Sequence, residues 1–141
     1  ILYIKVINML NGYKEELLKI LNKEVIVFID RKINSVHPKY NDIIYQVNYG
    51  YIKDVKAPDG EYQDAYVLGV NNEIEVFKGV VIAIIERLDD VEHKLIVVPK
   101  GFNYTNEEID KIVNFQEKYF KIQIRTSLCC KCKNIKGTTT D

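Results

Sequence analysis

GVVIAIIERL, residues 79–88, is the stretch on which the fold turns. Val80, Val81, Ile82, Ile84 and Ile85 are β-branched, which restricts side-chain freedom on a helix and packs well on a pleated surface. No charged residue interrupts the run before Glu86, so the strand is expected to be buried on both faces. On its N-terminal side, EIEVFKG (73–79) reads as a short strand after a turn at Asn71-Asn72. On its C-terminal side, LDDVEHK makes a turn and KLIVVP (94–99) reads as a further strand stopped by Pro99. EVIVFID (24–30), IIYQVNYGYIKDV (43–55) and DAYVLGV (64–70) extend the series, with a turn at Ala57-Pro58-Asp59-Gly60 before the last of them. Gly50 inside the second of these strands marks a bulge or a close backbone approach.

RKINSVHPKYND (31–42) is rich in turn formers and reads as a loop. Two segments have helical spacing. KEELLKIL (14–21) predicts a short N-terminal helix, and TNEEIDKIVNFQEKYF (105–120) predicts a second, opened by the capping-box pair Thr105 and Glu108. Five or six short strands with so few helices predict a mainly β, α+β fold, a small closed five-stranded OB-like β-barrel. The expected organisation is a helical extension over 1–23, the barrel over 24–125 and an unstructured, cysteine-containing tail over 126–141.

The 20 basic and 20 acidic side chains cancel, so the chain has no general electrostatic reason to bind nucleic acid or an anionic membrane surface. No apolar run approaches the ~20 residues that a spanning helix needs, and the opening ILYIKVINML lacks the features of a secretory signal, so the cytosol is the expected location. Cys129, Cys130 and Cys132 have no distant partner for a disulfide framework, and His37 and His93 lie too far off in sequence to complete a zinc knuckle with them. They read as reduced thiols.

PDGEYQDA (58–65) concentrates chemistry: Asp59, Glu61 and Asp64 set three carboxylates at a turn entering a strand. Alternate strand residues share a face, so Asp59 and Glu61 point together, and the bend at Gly60 folds Asp64 toward them. A second acidic group, Asp89, Asp90 and Glu92, follows the long strand, with Lys94 two residues beyond; Asp30 ends another strand. So many carboxylates in one cavity would be prohibitive if buried unpaired, and hard divalent cations resolve the conflict. Arg31, Lys39, Lys94, Tyr45, Tyr49 and Tyr119 are the candidates for recognising phosphate.

With VNYGYI (47–52), PDGEYQDA (58–65), KLIVVP and FQEKYF in place, the chain resembles the soluble inorganic pyrophosphatases of the single-domain barrel kind (family I), over about residues 24–122. DRKINSVHPKYNDIIY (30–45) is similar to the short lineage of that family, which lacks an N-terminal β-hairpin. The resemblance implies that Asp59, Glu61 and Asp64 hold metal, with Glu61 in the place of the acid that takes a proton from the attacking water. It further implies metal contacts for Glu92, for Asp90 or Asp89, and for Asp30. Lys39, Lys94, Tyr45, Tyr49 and Tyr119 match phosphate-binding or site-ordering residues, with Tyr49 counted among the catalytic ones, and Phe120 stands where the longer enzymes carry a lysine. The implied cofactor is Mg²⁺, with Mn²⁺ or Zn²⁺ as substitutes, and the implied activity is inorganic diphosphatase, with pyrophosphate as substrate and no nucleic-acid or membrane partner. A homo-oligomer is compatible with the sequence but not specified by it.

Two other readings compete. A non-catalytic relative that binds metal or phosphate is suggested by the longer arm of Glu61, by Phe120 and by the missing hairpin. A single-stranded nucleic-acid-binding barrel is suggested by the tyrosine-rich strands, against which stands the lack of any basic excess.

Overall fold

The computed structural model describes residues 1–126, so the cysteine cluster and, apart from Thr126, the tail expected to be unstructured lie outside the described residues. Within them the order is α1 (Leu2–Lys19), β1 (Glu24–Arg31), β2 (Asn48–Lys56), β3 (Tyr62–Val67), β4 (Val76–Arg87), β5 (Lys94–Val98), α2 (Asn106–Glu117) and β6 (Ile122–Thr126). The strands run β1-β2-β3-β5-β4-β6 across the sheet, and β1 pairs again with β4, which closes five of them into the expected barrel. β6 lies outside that closure, antiparallel to the second half of β4.

Closure depends on the length of β4. Residues 76–80 pair with β1 and residues 80–85 with β5, with a register shift between Val81 and Ala83 that bends the strand from one partner to the other. EIEVFKG and GVVIAIIERL therefore do not form two strands separated at Gly79. A Cβ on Gly79 would lie 2.5 Å from the Val98 carbonyl oxygen, so the glycine serves close packing inside one continuous strand.

Successive side chains of β3 and β5 feed two different cores. Ala65, Val67, Leu95 and Val97 join Val25, Val27, Ile52 and Val81 in a cluster to which all five barrel strands contribute, the barrel interior. Tyr66, Ile96 and Val98 join Tyr49, Ala83 and Ile85 in a second cluster, which α2 covers with Ile109 and Val113. This is why KLIVV has no polar alternation: both of its faces are buried. The capping box of α2 forms as expected, Glu108 N–H donating to Thr105 Oγ1 at 3.1 Å and Thr105 N–H to Glu108 Oε1 at 2.8 Å.

Other expectations are corrected as well. The N-terminal helix begins at Leu2 and not near Lys14; it packs on the barrel through Tyr13 and Leu17 while Leu2, Tyr3, Ile4 and Met9 stay exposed. Residues 43–47 do not join β2. Ile43, Tyr45 and Val47 alternate inward as a strand would, but Ile43 and Tyr45 bond across the loop to residues 34–37 at the isolated bridge Val36↔Ile44 and form no ladder. β6 was not expected at all. Among the described residues no helix is long and apolar enough to cross a membrane.

Candidate active site

Two cavities open on one side of β3 and share Asp64 as a lining residue. One, of about 380 Å³, is lined by Asp30, Asp59, Glu61, Asp64 and Glu92, five carboxylates from three separate stretches of chain. The other, of about 530 Å³, receives Arg31, Arg87 and Lys94 together with Tyr49, Tyr119 and Phe120.

Local geometry explains how each acid arrives. At the 57–61 turn, Gly60 N–H donates to the Ala57 carbonyl and Gly60 takes φ 87°, a left-handed conformation that favours glycine. Asp59 accepts from the Glu61 N–H at 2.9 Å, which sets both acids at the entry to β3. Asp30 sits at the register shift between Ile29, which faces Gly50, and Arg31, which faces Tyr49, the device by which a strand re-aims one side chain. Glu92 follows a turn in which Asp90 accepts from the backbone N–H groups of Val91 and Glu92.

The carboxylates are electrostatically strained against one another. Burial pushes the Glu92 carboxyl up to about 7, helped by its hydrogen bond with Asp59. Asp59 is in turn held below the ordinary carboxylate range, first by the Glu61 N–H and then by Glu92. The pair thus shares a proton, with Glu92 the donor. Burial also raises Asp30, against the pull of Arg31. Asp64 instead takes a cation: Lys94 Nζ donates to its Oδ2 at 2.6 Å. Burial and then the Asp64 charge push the Tyr49 phenol well above its usual range, so it stays protonated beside Asp64.

On the cationic side Arg87 is fixed by a carboxylate and an aromatic ring. Glu117 accepts from its Nε at 3.0 Å and from its Nη2 at 2.7 Å, the fork-to-fork geometry of a strong arginine–carboxylate pair, and the Phe120 ring centroid lies 3.6 Å from its Cζ. Arg31 donates to the Tyr45 hydroxyl, which donates to Gln116 Oε1 at 2.6 Å.

The structure therefore brings Asp30, Asp59, Glu61, Asp64 and Glu92 to one cavity, and Tyr49, Lys94 and Tyr119 to its neighbour through Asp64. Tyr45 is fully buried behind Arg31. Lys39 and Asp90 reach neither cavity. The Lys39 backbone N–H bonds His37 Nδ1 in the 32–47 loop, leaving its side chain outward, and Asp90 lies 3.6 Å from Arg87 while capping its own turn. Asp89 is also engaged locally, accepting from the Lys121 N–H. Arg87 and Glu117 are the pair that the sequence reading passed over. Their signals were a charge closing a doubly buried strand and an acid on the Ile109, Val113 stripe of α2 at i+4 spacing.

As donors, five carboxylates suit a hard divalent cation, and the proton held between Asp59 and Glu92 marks charge that a cation would neutralise. Among the described residues, however, no group of three acidic, histidine or cysteine side chains is arranged to hold a metal as it stands. Asp64 already gives one oxygen to Lys94, and Asp59 one to the Glu61 N–H.

Solved structures share this architecture. An inorganic pyrophosphatase from Ehrlichia chaffeensis superposes with a TM-score of 0.59 at 17% identity, over 79% of this chain and 91% of that one. An inorganic phosphatase from Anaplasma phagocytophilum gives 0.52 at 20% identity over 79% and 88%, and an inorganic pyrophosphatase from Coxiella burnetii gives 0.52 at 17% identity over 73% and 84%. No protein-family model matches the chain, and no curated protein matches it. What is shared is the fold: the chain is built on the closed barrel of these pyrophosphatases.

Proposed function

We propose that this chain hydrolyses inorganic pyrophosphate to two orthophosphates as a divalent-cation-dependent diphosphatase. One observation carries the reading: a five-carboxylate cavity and a cavity holding Arg31, Arg87 and Lys94 meet at a single residue, Asp64. A phosphoanhydride needs both kinds of charge, acids to hold cations and fixed cations to receive phosphate oxygens. The likeness to pyrophosphatase structures supports the same activity.

Asp59, Glu61, Asp64, Glu92 and Asp30 would hold Mg²⁺, which when bound lowers the pKa of water and neutralises phosphate charge. The chain's own groups do the rest. Glu61, exposed at the turn and without an ion pair among the described residues, accepts a proton from the attacking water. Lys94 and Arg87 are nearly buried, so their charges act on phosphate oxygens with little screening as the leaving group gains charge. Tyr49, held protonated by burial and by Asp64, donates and does not repel. Arg31 and Tyr119 line the wall that receives the second phosphate.

The test is phosphate release from pyrophosphate in Mg²⁺, arrested by EDTA and abolished in Asp64→Asn with the barrel still folded. Full activity in that variant rules the site out. The Asp64–Lys94 ion pair favours a second reading, a phosphate-binding relative without turnover. Binding of pyrophosphate with no phosphate released at saturating Mg²⁺ would select it.

A further inference from the structure

The wall of the carboxylate cavity carries aromatic rings that an inorganic substrate does not need. Phe28, Tyr51 and Tyr62 stack across β1, β2 and β3, with centroids 5.7 and 5.5 Å apart and the two tyrosine rings only 10° from parallel. None of the three belongs to either buried core, and Tyr51 and Tyr62 line the same cavity as Asp59, Glu61, Asp64 and Glu92. Tyr62 ends the stack with 41% of its surface exposed. Lys53 and Lys56 each place an ammonium 5.9 Å from its ring centroid, the positive charge of an otherwise acidic rim.

Cross-strand aromatic pairs stabilise a sheet wherever they occur, but stacking at the mouth of a phosphoanhydride site has a second use. Pyrophosphate is a cluster of charged oxygens with no flat apolar surface. A nucleoside diphosphate has the same anhydride and a base whose face can stack on tyrosine.

We infer that this site takes nucleoside 5′-diphosphates, the base on the Tyr62 ring and the anhydride at Asp64, where the carboxylate cavity meets that of Arg31, Arg87 and Lys94, an inference that rests on the hydrolytic reading above. In the step implied, water oxygen bonds to the β-phosphorus and the bond from that phosphorus to the bridging oxygen breaks, its electron pair leaving on the nucleoside monophosphate. One water proton stays with the orthophosphate and the other passes through Glu61 to solvent, so ADP and water give AMP, orthophosphate and a proton.

Two measurements test it. AMP titrated with the protein in Mg²⁺ should show upfield ring-current shifts of its adenine H2 and H8 resonances, with binding about tenfold weaker in Tyr62→Leu and retained in Tyr62→Phe. The ratio of kcat/KM for ADP to that for pyrophosphate should fall about tenfold in Tyr62→Leu. An absent shift, a shift equal in Tyr62→Leu, or ADP left intact overturns the inference. Pyrophosphate turnover without an AMP shift removes the stacking site and leaves the hydrolytic reading standing. An AMP shift without pyrophosphate turnover does the reverse.

Discussion

Lys94 Nζ lies 2.6 Å from Asp64 Oδ2, and this ion pair occupies the one residue common to the carboxylate and cationic cavities. Lys94 is 6% exposed and Asp64 35%, so the ammonium is the more desolvated partner and depends on the carboxylate for compensation. A divalent cation arriving at Asp64 competes with Lys94 for the same oxygen. Freed from it, the ammonium is aimed at the neighbouring cavity, where phosphate would take the place of the carboxylate.

Lys94→Met separates those two roles. Asp64 then loses its ammonium partner and should bind Mg²⁺ at lower concentration, while kcat/KM for pyrophosphate falls about a hundredfold from loss of a preorganised positive charge. Steady-state kinetics across a Mg²⁺ series read both effects. An unchanged kcat/KM would show that Lys94 serves packing alone.

Glu92 gives the metal-free protein a pH signature. Its carboxyl holds a proton to about 7 when folded against an ordinary value of 4.5, so the folded state binds the extra proton between those values. The stability this group contributes is complete below about pH 4.5 and is lost as pH rises to 7. His93, lowered mainly by burial, slopes the other way over part of that window, so the quantity to read is the difference between the wild type and Glu92→Gln. Urea unfolding in EDTA at pH 5, 6 and 7 should show wild-type stability falling relative to the variant as pH rises. Mg²⁺ added at pH 6 should release a proton from wild type, detected by calorimetry in buffers of differing ionisation enthalpy.

Arg87 and Glu117 are both buried, so removing one charge leaves the other uncompensated. Glu117→Gln should cost about 3 kcal/mol in urea unfolding, and the double variant Arg87→Met, Glu117→Leu should recover most of that loss. Because Arg87 also lines the cationic cavity, the double variant should remain weak in pyrophosphate affinity while regaining stability. Recovery of both together would place the pair outside the binding site.

Local chemistry made much of this legible. The β-branched run at 79–88 and the Thr105–Glu108 cap each carry their instruction within a few residues: the cap formed as read, and the run became the larger part of β4. The first helix was read short because residues 2–9 carry only two polar side chains, Lys5 and Asn8, so the apolar face is poorly marked. The 43–47 segment has the alternation of a strand but no continuous partner, which only the assembled barrel decides. In the site, the acids of 59–64 were visible as one cluster. The bonding of Lys94 to Asp64, of Glu92 to Asp59 and of Arg87 to Glu117 joins residues about 30 positions apart, and no local pattern announces such pairs.

Gly50 is where barrel closure and site geometry meet. A Cβ there would stand 1.9 Å from the Phe28 carbonyl oxygen and 2.8 Å from the Ile29 Cα, both backbone atoms that no rotamer change can move. Gly50→Ala must therefore push β1 from β2 at the register shift that aims Asp30 into the carboxylate cavity. The expected cost is about 2–3 kcal/mol, at the upper end for overpacking because the clash is with backbone. Mg²⁺ dependence should weaken as well, since Asp30 moves with the strand. Gly12→Ala is the control: its added Cβ meets nothing within 4 Å, it lies in the middle of α1, and it should leave stability unchanged or slightly raised. Thermal unfolding of the two variants side by side checks the claim, and equal stability of Gly50→Ala and wild type would mean that the β1–β2 approach is looser than the packing at Phe28 requires.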